Sequence, residues 1–400
     1  MNRNLQTLTA LAHKKQRHII GLMSGTSVDG LDIAYCVIEG EGHNSHISIK
    51  AFETIAYNND FKAEIKSVFS KKQVDLEKLC LLNPWVAQQQ AAMINTFITK
   101  HGIAKEEVDL IASHGQTIYH APKALHQQEK FGNATLQIGD GDHLAVETGI
   151  ITISDFRQKH IAAGGEGAPL AVYGDYFIFS KKGEDRIMLN MGGIANFTFL
   201  PGSMDADKIF STDTGPGNTM MDALVQQEIP GKYFDEDAGL ARQGTVHEAL
   251  LKALKDHPFF GQDFPKTTGP ELFNLAYLEA AKQKAGIETI SAADAMTTLN
   301  LFSAETIAEA VQKTMQGNNQ FVLYASGGGM HNPLLMERIK ILLPGVPVKL
   351  TSELGIHPDA KEAVLFAVLA NECVAGSGIR FSKALKGIPS VTMGKISFPW

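Results

Sequence analysis

The chain has 400 residues with 36 Lys+Arg against 43 Asp+Glu, a formal charge of -7, and is 44% hydrophobic and 20% charged. That balance belongs to a globular chain of one large or two ordinary domains, and it excludes a disordered polymer or a small disulfide-stapled fold. Mild acidity without a dense Lys/Arg patch argues against a nucleic-acid partner, because gripping a phosphate backbone requires that basic footprint.

The first eighteen residues, MNRNLQTLTALAHKKQRH, lack the continuous apolar core of a secretory signal, and no stretch reaches the roughly 20 apolar residues of a membrane span. Cys36, Cys80 and Cys373 lie far apart with no zinc or disulfide spacing. A reducing, cytoplasmic location and no membrane partner are the expectations.

In chain order, residues 17–39 read as a β-hairpin whose tip, SGTSVDG, is built from small residues. The spacing of Val86, Ala87, Ile94, Phe97 and Ile98 predicts a helix over residues 83–100, with Pro84 in its first turn. Residues 108–112 read as a short strand that ends in SHGQTIYH, where polar side chains would face a ligand. The run AAGGEGAP at 162–169 is too glycine-rich for a regular element and marks a domain boundary. Residues 186–200 then repeat the opening organisation, with the tip NMGGIAN between two apolar runs. Two hairpins of one design suggest two related domains. Residues 321–325, 333–342 and 346–350 read as strand, helix and strand, a βαβ unit with SGGGM after its first strand. Residues 359–375 close the pattern as a strongly apolar helix.

Three glycine-rich turns therefore follow strands: Gly25 to Gly30, Gly192–Gly193 and Gly327 to Gly329. Glycine lets a backbone approach a ligand closely and turn its N–H groups onto phosphate oxygens. Each alone is as readily a plain tight turn. Three in one chain favour a nucleotide, yet neither GxxxxGK[ST] nor a strand-following GxGxxG is present. No GxSxG elbow supports serine hydrolysis either.

The segment STDTGPGN holds Asp213 on a rigid bend, either as a catalytic carboxylate or as the cap of a helix starting near residues 218–221. Asp29 and Asp32 flank the first tip and could hold magnesium, while Asp140 and Asp142 read as turn formers. His114 and His120 lack the spacing of a zinc site. His114, Gln116, Asp155 and Arg157 are candidates to contact a polar ligand, although Asp155 and Arg157 would equally suit a surface ion pair.

The segments IGLMSGTSVDGLD, SHGQTIYH, DFRQKHIAAGGEGAPL, LNMGGIANFT, DTGPGN and SGGGMHNPLL, in that order, resemble the anhydro-N-acetylmuramic acid kinases of the actin, Hsp70 and sugar-kinase superfamily. The resemblance runs from Ile19 to about Ala375. It implies an α/β fold of two ribonuclease H-like domains with a nucleotide cleft between them. The domains would be 17–160 and 161–377, preceded by an extension at 1–16 and followed by a segment, 378–400, returning to the first.

Residue by residue, it implies ATP contacts at Gly25, Thr26, Ser27, Val28, Asp29, Gly30, Leu31 and Asp32, then at Gly192, Gly193 and Asn196, and at Gly327, Gly328 and Gly329. Asp213 matches the family's catalytic aspartate, and Glu362 matches a position that also suits a helix start. The implied reaction uses ATP with Mg2+ to open the 1,6-anhydro bridge and phosphorylate O6, giving N-acetylmuramic acid 6-phosphate and ADP. A homodimer is implied as well. The rival readings are a kinase of another amino sugar and an ATP-driven interaction protein of the same superfamily.

Overall fold

The computed structural model describes residues 2–168, 170–318, 320–376 and 389–400. The chain folds as two compact units, Met1–Phe179 with Asp359–Trp400, and Ser180–Pro358.

The first unit is built on β1 (Gln16–Ser24), β2 (Gly30–Glu39), β3 (His46–Ala56), β4 (Leu110–Ala121), β5 (Ala134–Ile138) and β6 (Thr152–Ser154), with β12 (Lys395–Ser397) from the end of the chain. Its order is β12-β6-β4-β1-β2-β3, with β5 also paired to β4. The strands β1, β2 and β3 form an antiparallel meander, and β4 and β6 extend it in parallel.

The unbroken apolar run at the start of the chain is explained by burial on both faces. Ile20, Leu22, Ile33 and Ile111 pack with Val86, Ile94 and Phe97 of the long helix Leu76–Lys100. The helix Lys361–Ala375 lies against the other face, so close that a Cβ at Gly21 would fall 2.0 Å from the carbonyl oxygen of Ala363.

The second unit repeats the plan with β7 (Asp185–Met191), β8 (Ile194–Leu200), β9 (Phe210–Pro216), β10 (Phe321–Ser326) and β11 (Val348–Leu350), in the order β11-β10-β7-β8-β9. Again a three-stranded meander is followed by two parallel strands. Ile187, Leu189 and Met191 pack with Ala304, Ile307 and Val311 of the helix Ala292–Met315, and with Leu335 and Ile339 of the helix Pro333–Leu342. Both hairpins and the βαβ unit stand where the sequence puts them.

Four sequence-level readings change. The helix expected over 83–100 starts at Leu76, where the Asp75 side chain accepts the N–H groups of Glu77 and Lys78. Pro84 is internal, and beside it Asn83 takes the N–H of Gly139 on its side chain and that of Asp140 on its carbonyl. The strand expected to stop before SHGQTIYH instead runs through it to Ala121, because β5 pairs with its second half. The closing helix begins at Lys361, after a short turn at Pro358–Ala360.

The joints between units fall after Phe179 and after Pro358, not at 160/161 and 377/378. The cause is packing: the helix Ala171–Phe179 and the helix Lys361–Ala375 pack on each other within the first unit. The residues read as an extension form the helix Arg3–His13, with Leu11 buried. The returning segment adds β12 to β6, while 378–388 and Pro169 of the glycine-rich run lie outside the described residues.

Candidate active site

In the second unit, the bend STDTGPGN is the end of β9, with Asp213 directly across from Asn196 of β8. Asp213 does not cap the following helix. That cap is Asn218, preceding Thr219–Glu228, and the Asp213 carboxylate instead receives the backbone N–H of Thr268 on Oδ2 at 2.7 Å. Its Oδ1 has no hydrogen-bond partner among the described residues. The loop around Thr268 is clipped along β9: Asp213 N–H donates to the Lys266 carbonyl (3.0 Å), and Lys266 N–H donates to Thr212 Oγ1 (3.0 Å).

Burial pushes the Asp213 carboxyl up to about 6, helped by the nearby Glu271 and opposed by the Thr268 N–H. A carboxylate held by one oxygen, open at the other and titrating near neutrality has the properties of a general base.

The glycine segments of this unit meet around Asn218. The Gly192 carbonyl accepts the N–H of Asn218, and the Gly193 carbonyl accepts those of Gly217 and Thr219, at 2.8 to 3.1 Å. Asn218 Nδ2 reaches the Met191 carbonyl. Gly327 adopts φ +81°, and a Cβ there would lie 2.6 Å from Asn190 Oδ1, so only glycine lets β10 turn this closely past β7. Beside them opens a pocket of about 510 Å³, lined by Asn218, Asp222, Phe234, Gly328, His331 and Asn332 among others. Desolvation lifts Asp222 to about 6.

In the first unit, the hairpin tip carries Thr26, Ser27 and Asp29 at the surface, while Val28 is buried in the core at φ +57°. A β-branched residue in that region is strained by about 1–3 kcal/mol, which the burial of its side chain offsets. Gly25 is different: a Cβ there meets nothing closer than 3.7 Å, so the fold itself leaves its face open. Gly30 and Leu31 begin β2, and Leu31 is core. Asp32 accepts the Thr54 hydroxyl, and burial together with Asp359 raises its pKa.

His114 and Arg157 are joined by a hydrogen bond, while Gln116 is tied to the first hairpin. Ser24 Oγ donates to Gln116 Oε1 (2.6 Å) and accepts from the Tyr57 hydroxyl (2.9 Å), while Gln116 Nε2 reaches the Gly25 carbonyl (3.3 Å). This ties the polar strand β4 to the hairpin tip. Arg157 Nε donates to His114 Nε2 (2.9 Å), and its Nη1 donates to the Gly167 carbonyl (2.6 Å). Burial, then the Arg157 charge, pushes His114 down to about 3, so it stays neutral with its proton on Nδ1.

Asp155 does not join them. It sits at φ +54° and pairs with Lys395. Asp140 caps the helix Gly141–Thr148, as a turn former should. Glu362 stands in the first turn of its helix. Among the described residues, no three His, Cys, Asp or Glu side chains cluster as a metal site, and no helix is long and apolar enough to cross a membrane.

Sequence reasoning missed Lys266, Thr268, Glu271 and Asp222. The Pro/Thr/Gly run at 265–270 marks a loop, but only the fold carries it to a carboxylate 55 residues earlier.

Two sheets of matching order, each opening on a small-residue hairpin and each followed by glycine turns, make this a two-unit α/β chain of repeated plan. A family model, anhydro-N-acetylmuramic acid kinase, matches residues 17–395. A protein of that name from Pseudoalteromonas atlantica is 58% identical over 400 residues, covering 100% of both chains. Another from Pseudoalteromonas translucida is 53% identical over 399 residues, again covering 100% of both. A third, from Caldanaerobacter subterraneus subsp. tengcongensis, is 36% identical over 98% of this chain and 100% of its own. The chain belongs to the anhydro-N-acetylmuramic acid kinase family.

Proposed function

We infer that this chain is the kinase that opens 1,6-anhydro-N-acetylmuramic acid with water and phosphorylates the freed O6 from ATP, a step of cell-wall recycling. The observation that carries the chemistry is Asp213, anchored on Oδ2 and open on Oδ1. Oδ1 accepts a proton from water as the water oxygen attacks the anomeric carbon. The bond from that carbon to O6 breaks, and O6 attacks the γ-phosphorus in line, releasing ADP. A pKa near 6 leaves the carboxylate ionised at pH 7 yet more basic than an ordinary aspartate.

Positioning supplies most of phosphoryl-transfer catalysis. The carbonyls of Gly192 and Gly193 are used internally, so that tip offers its N–H groups to phosphate. The open face of Gly25, with Thr26, Ser27 and the strained Val28, gives the first hairpin the same character. Gly328 and the pocket beside Asn218 suit the adenosine. Gln116, His114 and Arg157 are assigned to the sugar, His114 as a neutral hydrogen-bonding group; Asp155, paired with Lys395, is the weakest member of that set.

Asp29 and Asp32 would hold magnesium. Asp29 is exposed at the hairpin tip and Asp32 gives only Oδ1 to the Thr54 hydroxyl, and a magnesium ion needs only one or two carboxylates beside phosphates and water. When bound, the ion neutralises phosphate charge.

Incubation with ATP and either the anhydro sugar or its opened form tests the reading. Sugar-phosphate from the anhydro form, with label from 18O-water at the anomeric oxygen of promptly quenched product, is the expected result. Phosphorylation of the opened sugar alone would make this a kinase of a different amino sugar.

A further inference from the structure

Lys266 is a buried ammonium that the reading above does not use. It is 8% exposed, it forms no ion pair among the described residues, and its Nζ donates to the Phe259 carbonyl at 2.9 Å. The rest of its environment is aromatic: the ring centroids of Phe259, Phe260 and Phe264 lie 4.2, 5.6 and 5.6 Å from Nζ. Burial and the neighbouring Lys313 both act against its charge. Such a group is an expensive way to fill a core, since a methionine would pack the same box without desolvating a charge.

Its backbone explains its place. Lys266 supplies the carbonyl that takes the Asp213 N–H, its own N–H goes to Thr212 Oγ1, and two residues on Thr268 N–H holds Asp213 Oδ2. The loop carries the carboxylate's only protein anchor among the described residues, and the ammonium ties that loop to the helix Pro258–Gly261.

We propose that Lys266 is a positioning residue for the reaction, its ammonium seated in the Phe259, Phe260 and Phe264 cage so that the 266–268 loop aims the Asp213 carboxylate. The inference rests on Asp213 being the base. The charged and titratable groups facing this assembly are Glu271 beside Asp213 and Lys313 beside Lys266.

The test is Lys266→Met, with Lys266→Arg as rescue. Because Thr268 N–H favours the ionised carboxylate, a loop that loses this bond while Asp213 stays buried lets the Asp213 pKa climb, and the acid limb of kcat/KM moves to higher pH. Lys266→Met should lower kcat by about tenfold, within the range for misaimed catalytic groups, and move that limb upward. The KM for ATP should hold, and Lys266→Arg should restore most of both effects. Thr268→Pro, which deletes the donor itself, should move the limb the same way, and the double variant should add little further shift. A folded Lys266→Met with wild-type kcat and acid limb overturns the proposal, as do additive shifts in the double variant. If Lys266→Met does not accumulate folded, the same measurements on Lys266→Gln decide. Failure of the base assignment is separable: Asp213→Asn would then keep its turnover, whatever Lys266 does.

Discussion

Asp213→Asn separates chemistry from stability in one substitution. Asparagine keeps an oxygen for the Thr268 N–H but cannot accept a proton from water, so turnover should fall by about 10²–10⁴, the usual contribution of an aligned general base. With Asp213 near 6, wild-type kcat/KM should drop about tenfold from pH 7 to pH 5. An aspartate at its ordinary value of about 3.9 would give almost no change over that interval.

The same elevation has a cost. The folded state holds the Asp213 proton more tightly than the unfolded chain, so this group favours folding most below pH 4, and that advantage disappears as pH rises through 6. Two pH units correspond to about 3 kcal/mol, and to about 2 once solvent reaching the open oxygen is counted. Asp213→Asn should therefore melt higher than wild type at pH 7, with the gap closing near pH 4. Steady-state rates from pH 5 to 8 and melting curves at both pH values measure it. The variant's residual activity should lack the acid limb, which distinguishes Asp213 from titration of the nucleotide. Turnover within tenfold of wild type, or a flat wild-type profile between pH 5 and 7, refutes the assignment.

Gly25→Val should leave the melting temperature unchanged, because the space there is open, while raising the KM for ATP at least tenfold; unaltered nucleotide affinity would remove the first hairpin from the phosphate site. Gly327→Ala should cost about 1–3 kcal/mol of stability from the positive φ alone, with further loss from the Asn190 contact, as read by denaturant titration. Arg157→Gln should raise the sugar KM with little change in the KM for ATP, and equal effects on both would assign Arg157 to the fold instead. No activity limb between pH 5 and 8 should trace to His114, whose burial keeps it neutral there; a limb lost in His114→Gln would contradict this.

The hairpins at 17–39 and 186–200 and the βαβ unit at 321–350 were legible because each depends on local chemistry: apolar runs interrupted by small residues with few other conformations open to them. The start of the long helix was misread because Pro84 looks like a first-turn proline, and Asp75 is an equally ordinary cap nine residues earlier. The run SHGQTIYH looked like a strand end because its polar residues fit no alternating pattern. Pairing with β5 across a long hairpin keeps it extended, and Gln116 Oε1 and His114 Nε2 take their hydrogen bonds from Ser24 and Arg157, which no local window contains.

The amino-acid order alone thus carried the two-hairpin plan, the glycine turns and Asp213 as the carboxylate to watch, since these need only short-range geometry. That Asp213 does not cap the following helix was decided by the folded unit, where Thr268 arrives from 55 residues away to donate its N–H to the carboxylate and the closed chain buries it. Desolvation is a property of everything packed around a group, so a shift from the ordinary aspartate range to about 6 exists only once the chain has closed over it.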